Sequence, residues 1–140
     1  MASSLLSTCG ILYMIEAIFN QPGFLAASKA LDAVELRGQA ISNNLANLET
    51  PGYRRVDLAP GFEAAMNKAI LSQNPQQIAS LNPTLAADPN ATAVSPDGNT
   101  VRLQDELTQL NQNGAAHSLE TQLVVSMFQK LQMAITGKNA

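Results

Sequence analysis

Apolar residues recur at alternating spacings of three and four in two separate stretches of the chain. In the first stretch, the positions that form this stripe are Phe24, Ala27, Leu31, Val34, Gly38, Ile41, Leu45 and Leu48. Such heptad spacing predicts an amphipathic helix over residues 22–50 whose stripe packs against a partner helix. Pro22 suits the first helical turn, and Pro51 should end the helix because it disfavours helical geometry at Thr50.

The second stretch occupies the C-terminal third of the chain and predicts a longer helix over residues 101–137. Its stripe consists of Leu103, Leu107, Leu110, Gly114, His117, Thr121, Val124, Phe128, Leu131 and Ile135. Further apolar residues outside the stripe widen the apolar surface: Leu119, Leu123, Met127 and Met133. One partner helix cannot cover a surface of this width, so this helix should need additional neighbours.

Gly38 and Gly114 occupy stripe positions where a large apolar residue would be expected. Each costs about 1 kcal/mol of helix propensity relative to alanine. Two interpretations stay open: the glycines permit a close approach of the helices, or they are weak points that the fold tolerates.

The region between the two stripes is less regular. Residues 51–71 predict a turn followed by a short amphipathic helix, because Phe62, Met66 and Ile70 fall on one helical side. The prolines of residues 72–100 are Pro75, Pro83, Pro89 and Pro96. The apolar residues among them have no consistent period, which predicts a flexible linker. The expected fold is all-α, with two long antiparallel coiled-coil-like helices, a short helix or loop, and a largely disordered middle.

Residues 1–21 form an N-terminal extension whose first part is apolar. A secretory signal requires a basic segment before the apolar run and a small-residue cleavage site after it, and neither is present before Glu16. The run is also too short to span a bilayer. We therefore expect neither a cleaved signal nor a direct membrane span. Met14 offers an alternative start that would exclude residues 1–13.

Composition favours helices packed side by side over a core built from aromatic rings. The chain has 140 residues, of which 46% are hydrophobic, but aromatic residues make up only 4% and tryptophan is absent. The formal net charge is -3, and the only adjacent basic pair is Arg54 and Arg55. Nucleic-acid binding needs a concentrated basic patch, so we expect no nucleic-acid partner.

Residues that could carry catalysis or ligate a metal are few and isolated. Cys9 and His117 are the only cysteine and the only histidine, so neither has a like partner. Asp105 and Glu106 are adjacent, and their side chains point about 100° apart on a helix, so they cannot flank one substrate atom. We expect no enzyme activity, no cofactor and no metal, and a partly buried His117 with a structural hydrogen bond.

The end of the first predicted helix carries a run of amides followed by a turn. Residues 42–53 read SNNLANLETPGY, in which the asparagines place amide donors and acceptors on the last helical turns. Pro51 and Gly52 fit the central pair of a type II turn. On turn chemistry alone, an ordinary helix stop with incidental asparagines would explain the segment. The whole string resembles the N-terminal signature of the flagellar axial proteins, the family of rod, hook and hook-junction subunits.

Further strings extend this resemblance towards the proximal-rod members of that family. They are residues 14–19, 29–32, 53–57, 62–65 and 97–101. Residues 1–13 have no counterpart in the resemblance, which supports the alternative start. Residues 117–119 depart from the family pattern, which leaves the contacts of the middle of the second helix open.

The resemblance implies a structural subunit of the flagellar basal-body rod, without a cofactor, that assembles with other rod proteins and with copies of itself in a helical lattice. It also implies export through the flagellar type III apparatus without a cleaved signal, a periplasmic place in the basal body, and contact with the inner-membrane ring and export gate. Another axial or adaptor subunit, or a helical export chaperone, is the alternative. The expected partner contacts are Asn43, Asn44, Asn47, Thr50, Pro51, Gly52 and Tyr53, with Leu31, Leu45, Val124, Phe128 and Leu131 on the stripes.

Overall fold

The computed structural model describes residues 20–136 of the chain. In chain order, the elements of this part are α1 (Pro22–Ala46), β1 (Val56–Leu58), α2 (Phe62–Ser72), α3 (Pro75–Ala79), β2 (Leu85–Ala87) and α4 (Leu103–Thr136). The mainly helical fold expected from the sequence is confirmed. A two-stranded sheet, which the sequence did not predict, is added to it.

Some predictions concern residues outside the described part. They include the N-terminal extension up to residue 19, the alternative start at Met14, and the resemblance over residues 14–19. The helices between residues 20 and 136 lack the combination of length and apolar character that a membrane span needs.

The first long helix begins and ends where local chemistry directs it. Pro22 lies in its first turn, where the fixed φ of proline suits a helix and the missing N–H is not needed. The helix ends at Ala46, earlier than the predicted residue 50. Asn47 follows it with a φ of -110°, outside helical geometry, and its N–H donates to Asn44 O at 3.1 Å.

α1 and α4 pack together, and their contacts run in opposite chain directions. Near the start of α1, the rings of Phe24 and Phe128 meet edge to face with centroids 5.6 Å apart. Further along α1, Asn113 Nδ2 donates to Val34 O at 3.0 Å. The beginning of α1 therefore lies beside the last part of α4, and its end lies beside the start of α4.

The face of α4 that packs on α1 differs from the predicted stripe in the N-terminal half of the helix. The residues that are buried or partly buried there recur at heptad spacing, and we call them the polar seam: Glu106, Gln109, Asn113, Ala116 and Glu120. Three leucines of the predicted stripe, which we call the leucine flank, point outward: Leu103, Leu107 and Leu110, with 50%, 45% and 42% exposure. The prediction of a leucine-packed seam is wrong here, because Glu106 and Asn113 find hydrogen-bond partners on α1.

β1 and β2 pair in antiparallel register, with Val56 opposite Ala87 and Leu58 opposite Leu85. The other edge of β1 is covered by a side chain of α1. Asn44 Oδ1 accepts the N–H of Val56 at 2.9 Å, and Asn44 Nδ2 donates to Val56 O at 2.8 Å. A single asparagine amide thus takes the place of a neighbouring strand and satisfies the backbone of β1.

Residues 72–100, expected to be a flexible linker, contain α3 and β2. The Asn74 side chain caps α3 by accepting the N–H groups of Gln76 and Gln77. Ile78 is fully buried, and α3 packs against α1. The disordered middle expected from the sequence is therefore not confirmed, because a local cap and a buried isoleucine tie this segment to the first helix.

Candidate functional site

The amide-rich end of α1 leads into a tight turn. Tyr53 N–H donates to Thr50 O at 3.2 Å, so Pro51 and Gly52 form the central pair of the turn. Gly52 has a φ of 69°, in the left-handed region that the second central residue of a type II turn requires. The turn expected from the sequence is present in the structure.

A second segment of the chain lies against this turn. Gly52 N–H donates to Asp97 O at 3.0 Å, and Thr100 N–H donates to Tyr53 O at 3.1 Å. The two paired segments form what we call the junction: residues 47–55 and residues 97–101. Both segments belong to strings that carried the resemblance, so two distant signature strings form one structural unit.

Asn99 joins the two segments of the junction at their centre. Its side chain is 1% exposed, and its Nδ2 lies within 3.0 Å of the backbone carbonyl oxygens of Asn47, Leu48 and Thr50. These carbonyls follow the end of α1, where the regular helical hydrogen bonds stop, and those of Asn47 and Thr50 also accept the N–H groups of Thr50 and Tyr53. Asn99 Oδ1 in turn accepts the N–H of Val101 at 2.8 Å. One asparagine therefore caps the C-terminus of α1 from a distant part of the chain.

Arg55 extends from the junction and binds three carboxylates. Its Nε donates to Glu106 Oε1 at 2.6 Å, its Nη1 to Asp88 Oδ2 at 2.7 Å and its Nη2 to Asp57 Oδ2 at 2.9 Å. Burial alone would lower the pKa of Arg55, but the hydrogen bonds to Glu106 and Asp57 outweigh it and raise the pKa above its usual value. These ion pairs tie the sheet to the start of α4.

Asp57 is a shared acceptor in this network. Besides Arg55, it accepts Arg37 Nε at 3.1 Å and the N–H of Leu58 at 2.7 Å. Burial alone would raise the pKa of Asp57, but the backbone hydrogen bond from Leu58 and the two arginines hold the pKa below its usual value. The ionised form of Asp57 is therefore the form that the fold stabilises.

Asn44 closes the network on the side of α1. Its side chain is fully buried, and its Nδ2 donates to Glu106 Oε2 at 3.2 Å as well as to β1. Tyr53 Oη donates to Asn44 Oδ1 at 3.4 Å. Asn44 was expected to contact a neighbouring subunit; in the single chain it is buried, and both polar atoms of its amide are bonded within the chain.

The other predicted contact residues differ in exposure and position. At the turn, the exposed residues are Asn43, Thr50, Pro51 and Gly52, and the partly buried ones are Asn47 and Tyr53. On the stripes, the partly buried residues are Leu31, Leu45, Val124 and Leu131, whereas Phe128 is 45% exposed. The turn lies beside the start of α4, and the predicted contacts on α4 lie towards its other end. The structure therefore does not bring them into one patch.

The polar groups of the junction and of the Arg55 network form hydrogen bonds with one another. In the described part of the chain, every buried side-chain nitrogen or oxygen has a hydrogen-bond partner. Between residues 20 and 136, no group of three or more His, Cys, Asp or Glu side chains is placed to hold a metal ion. His117 is exposed on α4, not partly buried as expected. The geometry is that of a structural joint.

Sequence reasoning missed the residues that organise this joint: Arg55, Asn99 and Glu106. Arg55 and Asn99 fall within the strings of the resemblance, but their partners are distant in the chain. Glu106 was considered only as a neighbour of Asp105 that cannot flank one substrate atom with it. A signal for its role existed, because Glu106, Asn113 and Glu120 recur at intervals of seven and outline a second, polar face of α4.

The chain is similar in sequence to known proteins of one family. The model of the family described as "Flagella basal body rod protein" matches residues 24–54, which cover most of α1 and nearly all of the first junction segment. Three relatives are each described as "Flagellar basal body rod protein FlgB". The one from Borrelia hermsii is 26% identical over 127 residues, which are 78% of this chain and 92% of the relative.

The other two relatives have similar coverage. The protein from Borreliella burgdorferi is 24% identical over 123 residues, 75% of this chain and 89% of the relative. The protein from Agrobacterium fabrum is 25% identical over 123 residues, 80% of this chain and 91% of the relative. The family match and these relatives together support a protein of the flagellar basal-body rod family. Within that family they support a rod protein of the FlgB type, and the resemblance found in the sequence is confirmed.

Proposed function

We propose that this chain is a structural subunit of the proximal rod of the flagellar basal body, which assembles with other rod proteins and with copies of itself into the shaft that transmits torque. The family match and the three relatives support a structural rod subunit and favour it over an export chaperone. The rod family is a family of structural proteins and not of enzymes. The structural observation that carries the proposal is the apolar surface that α4 leaves exposed.

This surface extends along the described length of α4. Its large exposed apolar side chains are Leu103, Leu107, Leu110, Leu119, Leu123, Val125, Phe128 and Met133. Because successive helical residues point about 100° apart, the leucine flank and the pair Leu119 and Leu123 lie on opposite sides of the polar seam. Burial of apolar surface contributes about 25 cal/mol per Å² to association. Neighbours on two sides would be needed to cover it, and a helical lattice of subunits supplies them.

The junction suits a subunit under mechanical load. Asn99 fixes the end of α1, and Arg55 connects the sheet to α4 through buried or partly buried ion pairs. A hinge at this point would let the two long helices slide past each other when torque is applied. The hydrogen-bond and ion-pair network should prevent such a hinge because it fixes both segments of the junction. The exposed turn residues Pro51 and Gly52 then present a rigid edge, which we assign as a contact with a neighbouring subunit.

Further features follow from the proposed role. Rod assembly outside the inner membrane requires export, which we assign to the flagellar type III apparatus without a cleaved signal. The subunit would then lie in the periplasmic part of the basal body, next to the inner-membrane ring and the export gate. Within each subunit, we assign α1 and α4 to an antiparallel coiled-coil-like pair whose remaining apolar surface is covered by neighbours.

Two observations in cells test the proposal. The tagged chain should copurify with basal bodies, and its absence from them would overturn the rod assignment. In addition, Pro51→Ala combined with Gly52→Val should leave expression intact but abolish swimming. The matched control is Pro60→Ala with Gly61→Val, a second Pro-Gly pair whose glycine has a φ of 105° but which lies outside the junction. Equal loss of swimming in both double variants would remove the contact assignment at the turn.

A further inference from the structure

The N-terminal half of α4 carries two alternative packing faces. The polar seam faces α1, and two members of the leucine flank, Leu107 and Leu110, follow seam positions by one residue. A one-residue offset corresponds to a rotation of about 100° around the helix axis. Rotating α4 by that amount would bring leucines onto α1 and carry the seam to the surface.

In the N-terminal half of α4, burial of apolar area favours the rotated arrangement, yet the structure has the other one. Leucines against the apolar stripe of α1 would remove hydrocarbon from water, whereas the observed arrangement buries a carboxylate and leaves the leucines about half exposed. In this half of the helix, specific polar contacts must therefore hold α4 in its observed orientation, while towards its C-terminal end the ring contact of Phe24 with Phe128 also does so.

Glu106 supplies the main contacts of this kind. Its Oε1 accepts Arg55 Nε at 2.6 Å, its Oε2 accepts Asn44 Nδ2 at 3.2 Å, and its side chain is 0% exposed. Both oxygens of the carboxylate are thus held by groups of the junction and of α1. A rotation of α4 would separate Glu106 from both partners, and a charge-assisted hydrogen bond of this kind is among the stronger polar contacts in a protein.

A second contact lies two helical turns further along. Asn113 Nδ2 donates to Val34 O, and a Cβ built on Gly38 would lie 3.2 Å from the same nitrogen. Gly38 therefore permits the close approach that seats Asn113 on α1. Gly114, by contrast, has no atom within 4 Å of such a Cβ. Of the two interpretations of the stripe glycines, close approach applies to Gly38.

We infer that Glu106, with Arg55 and Asn44, locks the rotation of α4 and so reserves the leucine flank for a second copy of this chain. This inference rests on the proposed role as a rod subunit. Residues of the flank are exposed in the single chain because the lock turns them outward, and docking of a neighbouring helix covers them.

The size of the flank indicates which kind of contact covers it. Its leucines span two helical turns, about 11 Å of helix at 1.5 Å per residue. A stable one-to-one complex buries about 800 Å² on each partner, which half-exposed leucines over two turns cannot supply. Such a contact gains strength only when it is repeated many times between subunits held at high local concentration. A lattice of identical chains meets that condition.

Disulfide reporters in the isolated chain test the lock. In a Cys9→Ser background, Gly38→Cys with Asn113→Cys reports the observed orientation, and Gly38→Cys with Gly114→Cys reports the rotated one. With Glu106 present, oxidation should cross-link the first pair. Glu106→Leu should lower the cross-linking yield of the first pair and raise that of the second. The control Asp105→Leu, which changes an adjacent exposed acid, should leave both yields unchanged. Retention of the first product in Glu106→Leu would overturn the lock.

A conservative variant covers the case in which Glu106→Leu loses helical structure. Glu106→Gln keeps the size and one carbonyl acceptor but removes the charge. In this background, both cysteine pairs should cross-link to a measurable extent. If Glu106→Gln cross-links only the first pair, as the unaltered residue does, the lock is refuted.

The occupant is tested separately in cells. A photo-crosslinking amino acid placed at position 107 should give, on irradiation, a cross-linked dimer of this chain, and the same amino acid at position 104, also exposed on α4 but outside the flank, should give much less. A cross-link from residue 107 to a protein of different mass would overturn the second copy as occupant. Because the lock is measured in the isolated chain, its failure is distinguishable from a failure of the rod assignment.

Discussion

Replacing Asn99 by aspartate should destabilise the fold far more than its conservative chemistry suggests. The Asn99 amide nitrogen carries two protons, and these are shared among the carbonyl oxygens of Asn47, Leu48 and Thr50. Asn99→Asp is nearly isosteric but replaces the donors with a carboxylate oxygen that faces the same carbonyls. The change therefore removes the cap of α1 and adds repulsion at a buried site.

The magnitude follows from the contacts that are lost. Leaving a buried polar group without a partner costs about 1–3 kcal/mol, and the Asn99 amide bonds three carbonyls at the end of α1, of which those of Asn47 and Thr50 also accept a backbone N–H. We expect Asn99→Ala to lower the free energy of unfolding by about 2 kcal/mol and Asn99→Asp by about 3 kcal/mol or more, because the second variant also buries a charge.

Urea unfolding of the isolated chain, followed by helical circular dichroism, measures the difference. For an m-value of about 2 kcal/mol per molar urea, a loss of 3 kcal/mol lowers the midpoint by about 1.5 M. Asn111→Asp, at an exposed position of α4, makes the same chemical change without a buried contact and should leave the midpoint nearly unchanged. Unfolding of Asn99→Asp and Asn111→Asp at the same urea concentration would show that Asn99 does not cap α1.

Three further changes probe the rest of the site. The folded pKa of Asp57 is lowered, so its contribution to stability is complete above its unfolded pKa of about 3.9 and is lost as pH falls through the folded pKa. Asp57→Asn should therefore reduce the fall of the urea midpoint as pH is lowered below about 4. Gly52→Ala should cost about 1–2 kcal/mol in thermal or urea unfolding because of its positive φ, whereas Gly114→Ala should gain about 1 kcal/mol. Arg55→Met should cost about 3–5 kcal/mol, since it leaves the buried Glu106 without its cation, and equal unfolding of Arg55→Met and the unaltered chain would contradict the network.

The parts of the fold that could be predicted from the sequence are those with a local cause. Pro22 and the heptad stripe predict α1, and Pro51 with Gly52 predicts the turn, because each depends on neighbouring residues. The strands could not be predicted in this way. β1 has only three residues, and its edge is satisfied by Asn44, a residue of α1 that lies twelve positions earlier in the chain.

The middle of the chain was misjudged for a related reason. Its prolines and polar residues are typical of a linker, and its apolar residues have no period. Order there depends on single contacts with distant elements, such as the burial of Ile78 and the carboxylate of Asp88 on Arg55. The period of apolar residues in a sequence indicates contacts that repeat along one face of a helix or strand. It does not indicate a contact that a single residue makes with a distant element.

The orientation of α4 shows a different limit of sequence reasoning. Heptad patterns identify which residues can be buried together, but not which surface buries them. In the N-terminal half of α4, the apolar face and the face that packs on α1 are offset by about 100°, because the carboxylate of Glu106 is bound by the cation of Arg55. In a chain with more apolar surface than it can cover itself, the polar residues therefore determine the internal register. The apolar ones remain at the surface, where neighbouring subunits can bury them.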